Sequence, residues 1–395
     1  MTDVELVSNC IMATRIPVSV SEALSRRMQN GALRVVTPAQ DGVDLCSNDY
    51  LGLARQLGHV CSTPAHGLAR LGATGSRLVS GSTLAHEEVE HFLACFHATE
   101  AALLFGSGFE ANIGLLGSLG GRSDTILYDE LVHASMRDGV RLSIARSHSF
   151  RHNDVDDLRR KLQRATGDCF VAVESLYSMD GDCAPLQELC ALCRESGAHL
   201  IVDEAHATGV YGHQGEGLVQ ANGLANEVFA RVHTFGKALG YRGACVVGSR
   251  ELRDYLINFA RSFVYSTACD LFSLRCIREA YELMAEARRE RLSLQHLIGA
   301  WAEMAAAYHN VQFLRSASPI QGIVVPGNDF VVRLERRLLE AGFFVRAIRS
   351  PTVPRGSERL RICLHSFNRV SELAELLSYV DQLQEMYRGA CAAAG

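Results

Sequence analysis

Between residues 100 and 250 the chain alternates apolar runs with amphipathic patterns, and this alternation limits the folds open to it. The runs of strand length are AALLF (101–105), TILYD (125–129), CFVAVES (169–175), HLIVDE (199–204) and GACVVGS (243–249). The patterns around them include LAHEEVEHFLACFH (84–97) and LQELCALCRESG (186–197), which are typical of helices. Apolar strands separated by helices predict a mostly parallel sheet that is covered on both faces. The expected fold class is therefore α/β.

A second, smaller unit follows a long helical stretch over residues 268–309. The runs typical of strands there are GIVVPG, GFFVRAI and RLRICLH, and the helical patterns are FVVRLERRLLEAG and VSELAELLSYVDQLQEMY. Together they predict a small α+β unit at the C-terminus.

The start of the chain differs from both units. Residues 1–35 are polar and partly helical in pattern, and LCSNDYLGL (45–53) predicts a short strand that ends in a turn. A chain of 395 residues is long enough for two or three domains. We predict an N-terminal segment at 1–50, a large α/β domain at 51–285 and a C-terminal domain at 286–395.

Composition argues against several classes of protein. The net charge of −5 gives no reason to expect binding to nucleic acid or to an anionic membrane. No apolar run reaches the ~18 residues of a membrane span, and the N-terminal sequence lacks the pattern of a signal peptide. Thirteen scattered cysteines, with one C-x-x-C at Cys190 and Cys193, predict reduced structural thiols and no metal. A cytoplasmic protein is expected.

Lysine is almost absent from the chain. Of the 39 lysine and arginine residues, only Lys161 and Lys237 are lysines. Because arginine stays protonated, these two are the candidates for chemistry that needs a neutral amine. Lys161 lies in DVDDLRRKLQRA, a charged pattern that indicates a solvated helix face. Lys237 lies in HTFGKALG, between glycines and small apolar residues, where partial loss of solvent lowers the pKa of an amine.

Two motifs match other classes of enzyme. GSGFEA (106–111) follows a strand, opens a helix and precedes Asp129 by about 20 residues, which is the pattern of a dinucleotide-binding turn. An NAD-dependent oxidoreductase is therefore one alternative, although glycine amides at a helix N-terminus bind any phosphate. DEAH (203–206) is an acidic motif of helicase ATPases. Those also need G-x-x-x-x-G-K-[ST], whereas Gly236-Lys237 is followed by alanine.

Three further side chains extend the chemistry around Lys237. Asp203 ends an apolar strand, where a carboxylate is costly unless it meets a cation such as a protonated pyridine. His206 follows three residues later and could hydrogen-bond a ring oxygen, and His133 could stack on a pyridine face. An amine, a carboxylate, a stacking group and phosphate donors are what pyridoxal 5′-phosphate (PLP) requires of a protein.

On these residues the chain resembles the α-oxoamine synthase family of fold-type I PLP enzymes. The matching segments cover nearly the whole chain in one order: SNDYLGL, GATGSRLVSG, HEEVE, GSGFEANIG, LVHAS, ESLYSMDGD, VDEAHATGVYGHQGEG, HTFGKALG, VYSTA and SPTVPRGSERLRI. The resemblance implies an aspartate aminotransferase-like fold with a smaller C-terminal α+β domain. It also implies an enzyme that condenses an amino acid with an acyl thioester and releases CO2.

The resemblance implies a role for each matching residue. Towards PLP it implies a Schiff base with Lys237, a carboxylate at the pyridinium nitrogen from Asp203, a ring-hydroxyl partner in His206, and ring stacking by His133. For the phosphate it implies Gly108 and Phe109, with Thr234 nearby, and Ser266 and Thr267 from the other subunit of an obligate homodimer. For the amino acid it implies Asn48, Ser178 and Arg361. A bidentate pair between Arg361 and the substrate carboxylate also suits the task on physical grounds.

The segment TFGK narrows the expected substrates. It resembles members that join L-alanine to a pimeloyl thioester, carried by CoA or a carrier protein, in biotin biosynthesis. PTVPRGSERLRI and SGFEAN agree with this branch, and Arg34 falls at a position near its acyl chain. Glycine-using relatives more often have TLGK. At LHSFN and at Arg77 the sequence differs from that of many relatives. These differences affect the expected recognition of the acyl chain and not the expected reaction.

Two alternatives within the family stay open. One is a sister reaction, such as the joining of glycine to acetyl-CoA that gives 2-amino-3-ketobutyrate, or another acyl transfer from CoA to an amino acid. The other is a catalytically silent partner subunit, although such subunits usually lack the lysine that this chain has at Lys237.

Overall fold

The first elements of the fold are α1 (Val18–Gln29), β1 (Val43–Asp44) and α2 (Leu53–Val60). The structure is a computed structural model that describes residues 16–36, 41–60 and 72–393. The strand predicted at 45–53 lies earlier, because the Asp44 carboxylate accepts the N–H groups of Cys46 and Ser47 and turns the chain there. The N-terminal sequence weighed as a signal peptide lies almost wholly outside the described residues.

Seven strands form the central sheet. They are β2 (Ala101–Phe105), β3 (Thr125–Asp129), β4 (Arg146–Phe150), β5 (Cys169–Glu174), β6 (His199–Asp203), β7 (Ala230–Thr234) and β8 (Ala244–Gly248). Their order is β2-β8-β7-β6-β5-β3-β4. Only β8 runs antiparallel to its neighbours β2 and β7, so the sheet is mostly parallel, as predicted.

Helices connect these strands. They are α3 (Leu84–Phe96), α4 (Gly108–Ser118), α5 (Ala134–Leu142), α6 (Val155–Leu162), α7 (Leu186–Ser196), α8 (Leu218–Ala221), α9 (Arg250–Phe259) and α10 (Arg261–Val264), with a π-helical turn at Arg77–Gly81. The sheet contributes side chains to two apolar clusters. Leu103 and Val246 belong to one cluster, and Leu104 and Val247 belong to the other. Successive side chains of a strand point to opposite faces, so the clusters cover both faces, as predicted.

The predicted helical stretch at 268–309 is two helices, α11 (Leu271–Glu286) and α12 (Arg288–Ala305), which are separated by Ala287 in a non-helical conformation. None of the helices in the described part of the chain combines the length and the apolar character of a membrane span. Cys190 and Cys193 are buried free thiols on α7.

The C-terminal unit contains β9 (Ile320–Val324), α13 (Asn328–Glu340), β10 (Phe343–Phe344), β11 (Arg346–Ile348), β12 (Arg359–Cys363) and α14 (Val370–Ala393). Its antiparallel sheet has the order β11-β12-β9, while β10 pairs in parallel with β1. One apolar cluster runs from Leu45 to Leu383 and so joins this unit to the central sheet. The predicted division at 285/286 falls beside the end of α11 and stays a prediction.

The strand register brings chemistry to one edge of the central sheet. Glu174, the last residue of β5, pairs with Asp203, the last residue of β6. The next strand, β7, ends at Thr234, three residues before Lys237. In open α/β sheets, ligands bind outside the carboxyl ends of the parallel strands. This edge is therefore where a site is expected.

Candidate active site

A cavity of about 520 Å³ opens at the carboxyl ends of the central strands. It brings together ten of the residues singled out in the sequence: Asn48, Gly108, Phe109, His133, Ser178, Asp203, His206, Thr234, Lys237 and Arg361. They come from the N-terminal segment, the central unit and strand β12, so one cavity collects side chains from positions 48 to 361.

Lys237 lies in the loop between β7 and β8, where Phe235, Ala238 and Leu239 are fully buried. Burial lowers the pKa of Lys237, although the carboxylates of Asp203 and Glu174 act in the opposite direction. A lowered pKa increases the fraction of neutral, nucleophilic amine.

Asp203 is a buried carboxylate held by two N–H donors. The Asn112 side-chain amide donates to one oxygen at 2.7 Å, and the Ala205 backbone donates to the other at 2.8 Å. These bonds fix the carboxylate at the floor of the cavity, where a protonated ring nitrogen would offset the cost of its burial.

His133 caps the N-terminus of α5 through its own ring. Its Nδ1 accepts the backbone N–H of Ser135 at 3.2 Å and lies 2.7 Å from the Ser135 hydroxyl. Burial lowers the pKa of His133, so the ring is neutral near pH 7. Asn112 donates to the same Ser135 hydroxyl at 3.0 Å, so one set of hydrogen bonds fixes both His133 and Asp203.

His206 is buried, and its Nδ1 lies 2.8 Å from the hydroxyl of Tyr50. Burial holds the pKa of His206 well below its usual value, and the nearby Lys237 adds to this effect. The imidazole is therefore neutral, with its second nitrogen available to a ligand in the cavity.

The glycine turn before α4 is built as a helix N-terminus. The Ser107 hydroxyl accepts the N–H of Glu110 at 3.2 Å, and the Glu110 carboxylate accepts the N–H of Gly106 at 3.1 Å. A Cβ at Gly108 would lie 2.4 Å from Thr234 Cγ2, so only glycine fits there. The first N–H groups of a helix have no partner within the helix and form a phosphate site.

Arg361 is held by three acceptors. Its Nε donates to the Ser178 carbonyl at 2.7 Å, and its two terminal nitrogens donate to Cys363 Sγ at 2.8 Å and to Asn48 Oδ1 at 3.0 Å. A guanidinium has five N–H groups. The N–H groups that these acceptors do not use are available to a ligand carboxylate, with which arginine forms strong pairs.

Three predicted residues lie outside this cavity. Ser266 and Thr267 line a small crevice beside Gly106 and Arg77. Arg34 lines a second cavity of about 450 Å³, which shares Met179 with the first. Within one chain these three therefore lie in spaces that adjoin the first cavity but do not line it.

Sequence reasoning assigned no role to Asn112, Tyr50 or Glu174. Asn112 lies one helical turn after Gly108 and so faces the same way, which is a signal that could have been used. Tyr50 and Glu174 lie inside SNDYLGL and ESLYSMDGD, but nothing local shows their partners. Burial raises the pKa of Glu174 to about 8, and Asp203 adds to this effect.

The residues present fit PLP. Glu174 Oε1 is buried and has no hydrogen-bond partner within the described residues, Asp203 can pair with a protonated ring, and α4 offers free N–H groups. The dinucleotide alternative fits less well. Asp129, the carboxylate that it needs for a ribose, is fully buried and bonded to His152 at 3.0 Å.

Comparison with known proteins gives the same result. The family model "Aminotransferase class I and II" matches residues 40–377. An 8-amino-7-oxononanoate synthase of Emericella nidulans is 40% identical over 397 residues, which cover 92% of this chain and 94% of that protein.

Two solved structures share the fold. The 8-amino-7-oxononanoate synthase of Francisella tularensis is 27% identical, with a TM-score of 0.76 over 88% of this chain and 99% of that one. The serine palmitoyltransferase of Sphingomonas wittichii is 26% identical, with a TM-score of 0.81 over 95% of this chain and 99% of that one. The chain belongs to the aminotransferase class I and II family and, within it, to the α-oxoamine synthases.

Proposed function

We propose that this chain is a PLP-dependent acyltransferase that condenses L-alanine with a pimeloyl thioester to give 8-amino-7-oxononanoate, CO2 and a free thiol, for biotin biosynthesis. The observation that carries the proposal is the meeting of Lys237, Asp203 and Arg361 in one cavity of a chain that is 40% identical to an enzyme of that name. The expected cytoplasmic location is part of this proposal.

Lys237 has two tasks in this proposal. Its neutral amine would hold the cofactor, and the same amine, once free, would take the proton from the Cα of L-alanine. When bound, PLP supplies an electron sink for the negative charge that develops at that carbon. The lowered pKa of Lys237 supports both tasks, since each needs the unprotonated amine.

Arg361 binds and orients the amino acid. Its remaining N–H groups would hold the substrate carboxylate in one plane, so that the Cα–H bond, and not the bond to the carboxylate, is aligned for cleavage in the first step. After the acyl group has been added, loss of CO2 from the β-keto acid is easy. Asn48 and Ser178 hold the guanidinium from two sides.

The remaining cavity residues hold the cofactor. Asp203 would keep a proton on the ring nitrogen, neutral His133 would stack on the ring, and His206 would bind the ring hydroxyl oxygen. The N-terminus of α4 at Gly108 and Phe109, with Thr234 beside it, receives the phosphate.

The second cavity suits the acyl donor. Four arginines line it, Arg27, Arg34, Arg346 and Arg349, and its shared residue Met179 connects it to the first cavity. Arginine forms strong pairs with carboxylates and phosphates. The pimeloyl carboxylate and the phosphates of CoA or of a carrier-protein arm all have this chemistry, so the cavity supports either carrier.

A homodimer completes this proposal. Leu78 and Val79 in the π-helical turn are 53% and 84% exposed, and Tyr265 is 72% exposed. Ser76 pairs with Thr267 through a β-bridge, so this apolar surface and the predicted phosphate residues lie together. A second copy that covers the surface would bring Ser266 and Thr267 to the neighbouring cavity.

The test is the release of free CoA from pimeloyl-CoA by PLP-loaded protein, with one amino acid added at a time. We expect release with L-alanine and much slower release with glycine or L-serine. Lys237→Ala is the matched control, since it removes the amine and should abolish release while the protein stays folded. Faster release with glycine would move the enzyme to the sister reaction, and activity of Lys237→Ala would contradict the proposed role of the lysine.

A further inference from the structure

A buried tyrosine lies between the two ligand-binding halves of the cavity. Tyr50 is fully buried, with its hydroxyl 2.8 Å from His206 Nδ1 and 3.1 Å from Asn48 Oδ1. Asn48 Oδ1 also accepts a hydrogen from Arg361 at 3.0 Å. Arg361 also hydrogen-bonds the Tyr50 side chain directly. Tyr50 therefore contacts both the cofactor side at His206 and the substrate side at Arg361.

The hydrogens in this set can be counted. Burial raises the pKa of Tyr50 and lowers that of His206, so the phenol keeps its single hydrogen and the imidazole is neutral. The phenol hydrogen can point to His206 Nδ1 or to Asn48 Oδ1, but not to both. Each choice fixes which nitrogen of His206 carries the ring hydrogen.

The geometry favours one of the two choices. The Tyr50 hydroxyl lies nearer to His206 Nδ1, at 2.8 Å, than to Asn48 Oδ1, at 3.1 Å, and Arg361 already donates to that amide oxygen. The phenol hydrogen therefore goes to His206 Nδ1, and the ring hydrogen of His206 is on Nε2. His206 can then donate a hydrogen to a ring oxygen in the cavity.

We propose that Tyr50 is a positioning residue that holds His206 as a hydrogen donor to the cofactor and, through its own contact with Arg361, makes this state depend on Arg361. The proposal rests on the proposed function, because it assigns the ring hydroxyl to His206 and the substrate carboxylate to Arg361. It adds a coupling between the two sites. Without the Tyr50 hydroxyl, the cofactor partner His206 and the substrate-binding Arg361 are no longer linked.

The test is Tyr50→Phe, which keeps the ring and removes the hydroxyl. Two quantities are measured on PLP-loaded protein without acyl donor: the pH midpoint of the cofactor absorbance change, and the Kd of L-alanine from its effect on the spectrum. A hydrogen bond from His206 to the ring oxygen stabilises the deprotonated cofactor. If Tyr50→Phe weakens this hydrogen bond, the midpoint should move to higher pH. The loss of one buried hydrogen bond should raise the Kd about three- to tenfold.

Tyr281→Phe is the matched control. Tyr281 is also fully buried, and its hydroxyl lies 2.9 Å from His97 Nε2, but neither residue lines the cavity. This variant should lose thermal stability to a similar extent and leave the midpoint and the Kd unchanged. A shift in both variants would mean that any buried Tyr–His bond has this effect, and it would overturn the proposal.

Asn48→Ala tests the link from the other side. It removes the oxygen that accepts from Arg361 but leaves the hydrogen bond between Tyr50 and His206. We expect weaker L-alanine binding with the midpoint of the amino-acid-free protein unchanged, and an effect on Kd that does not add to that of Tyr50→Phe.

The outcomes separate this proposal from the proposed function. If the unaltered protein shows no absorbance change with L-alanine, the proposed function fails. If it responds and Tyr50→Phe has the same midpoint and the same Kd, the coupling through Tyr50 is refuted and the proposed function stands.

Discussion

Burial sets the protonation of the residues around the cavity. It lowers the pKa of Lys237, His133 and His206 and raises that of Glu174 to about 8. Near pH 7 the cavity therefore holds neutral imidazoles and a carboxyl that readily takes a proton. Groups that would be charged on the surface can act here as neutral donors, acceptors and nucleophiles.

Arg361→Lys should separate amino-acid binding from acyl-donor binding. Lysine keeps the charge but loses the fork, so the KM for L-alanine should rise about 10- to 100-fold, as expected for a lost charge-assisted hydrogen bond. Arg34→Ala is the comparison, because Arg34 lines the second cavity. This substitution should raise the KM for pimeloyl-CoA and not the KM for L-alanine. Steady-state kinetics with each substrate varied in turn measure both. Equal effects on the two KM values in both variants would contradict the assignment of the two cavities.

Some residues of the site could be predicted from the sequence and others could not. Lys237 could be chosen because the chain has one other lysine, and Lys161 lies on α6 beside Asp157, as its charged surroundings predict. Tyr50 could not, since its partner His206 lies 156 positions away in the chain. The helical spacing from Gly108 could place Asn112 at the cavity, but not reveal its partner Asp203, which lies 91 positions away. Their roles depend on contacts that exist only after the sheet has formed.

Among the elements, the turn between β5 and α7 is held at several points. It carries Ser178, whose carbonyl accepts from Arg361, and Asp180, which pairs with Arg359. On the other side, His152 contacts Asp182 at 2.7 Å and Asp129 at 3.0 Å. The turn is therefore fixed to both the central sheet and strand β12, so it can keep Ser178 at the cavity.

His152→Gln should destabilise the protein at neutral pH more than at high pH. Burial opposes the charge on His152, but the bonds to Asp129 and Asp182 outweigh it and raise its pKa to about 10, against about 6.5 unfolded. The stabilisation by the imidazolium is therefore complete below pH ~6.5 and is lost as the pH rises through 10. Urea denaturation of both proteins at pH 7 and pH 10 measures the difference in unfolding free energy.

The control for this prediction is His148→Gln, which changes an exposed histidine on the neighbouring strand β4. Its effect on the unfolding free energy should be small at both pH values. A difference for His152→Gln that is the same at pH 7 and pH 10 would show that the charge of His152 does not stabilise the turn.

Element prediction succeeded where strands are apolar along their whole length. The strands β2, β3, β5, β6 and β8 lie where the runs predict them. The strand β4 reads RSHSF because it is an edge strand with exposed side chains, and β7 contains the buried polar residues Arg231 and His233. Neither has an apolar run, and only the pairing of the sheet reveals them.

For the whole molecule, the exposed apolar surface around the π-helical turn is the feature that bears on assembly. Val79→Asp places a charge at the centre of this surface and should shift the protein from dimer to monomer, with weaker PLP binding. Met386→Asp is the control, because Met386 on α14 is also strongly exposed. Light scattering after size exclusion gives the mass. A native protein that is already monomeric, or equal masses for all three proteins, would contradict the proposed homodimer.

The pairing of β1 with β10 has a consequence for how the chain is made. Val43 and Asp44 leave the ribosome 300 residues ahead of their strand partners Phe343 and Phe344. Arg361, which completes the cavity, is later still. Because synthesis runs from the N-terminus, a nascent chain can form the central sheet while its N-terminal segment still waits for a partner. Substrate binding therefore belongs to the finished chain, and translation that stops before residue 343 should give a sheet without a working site.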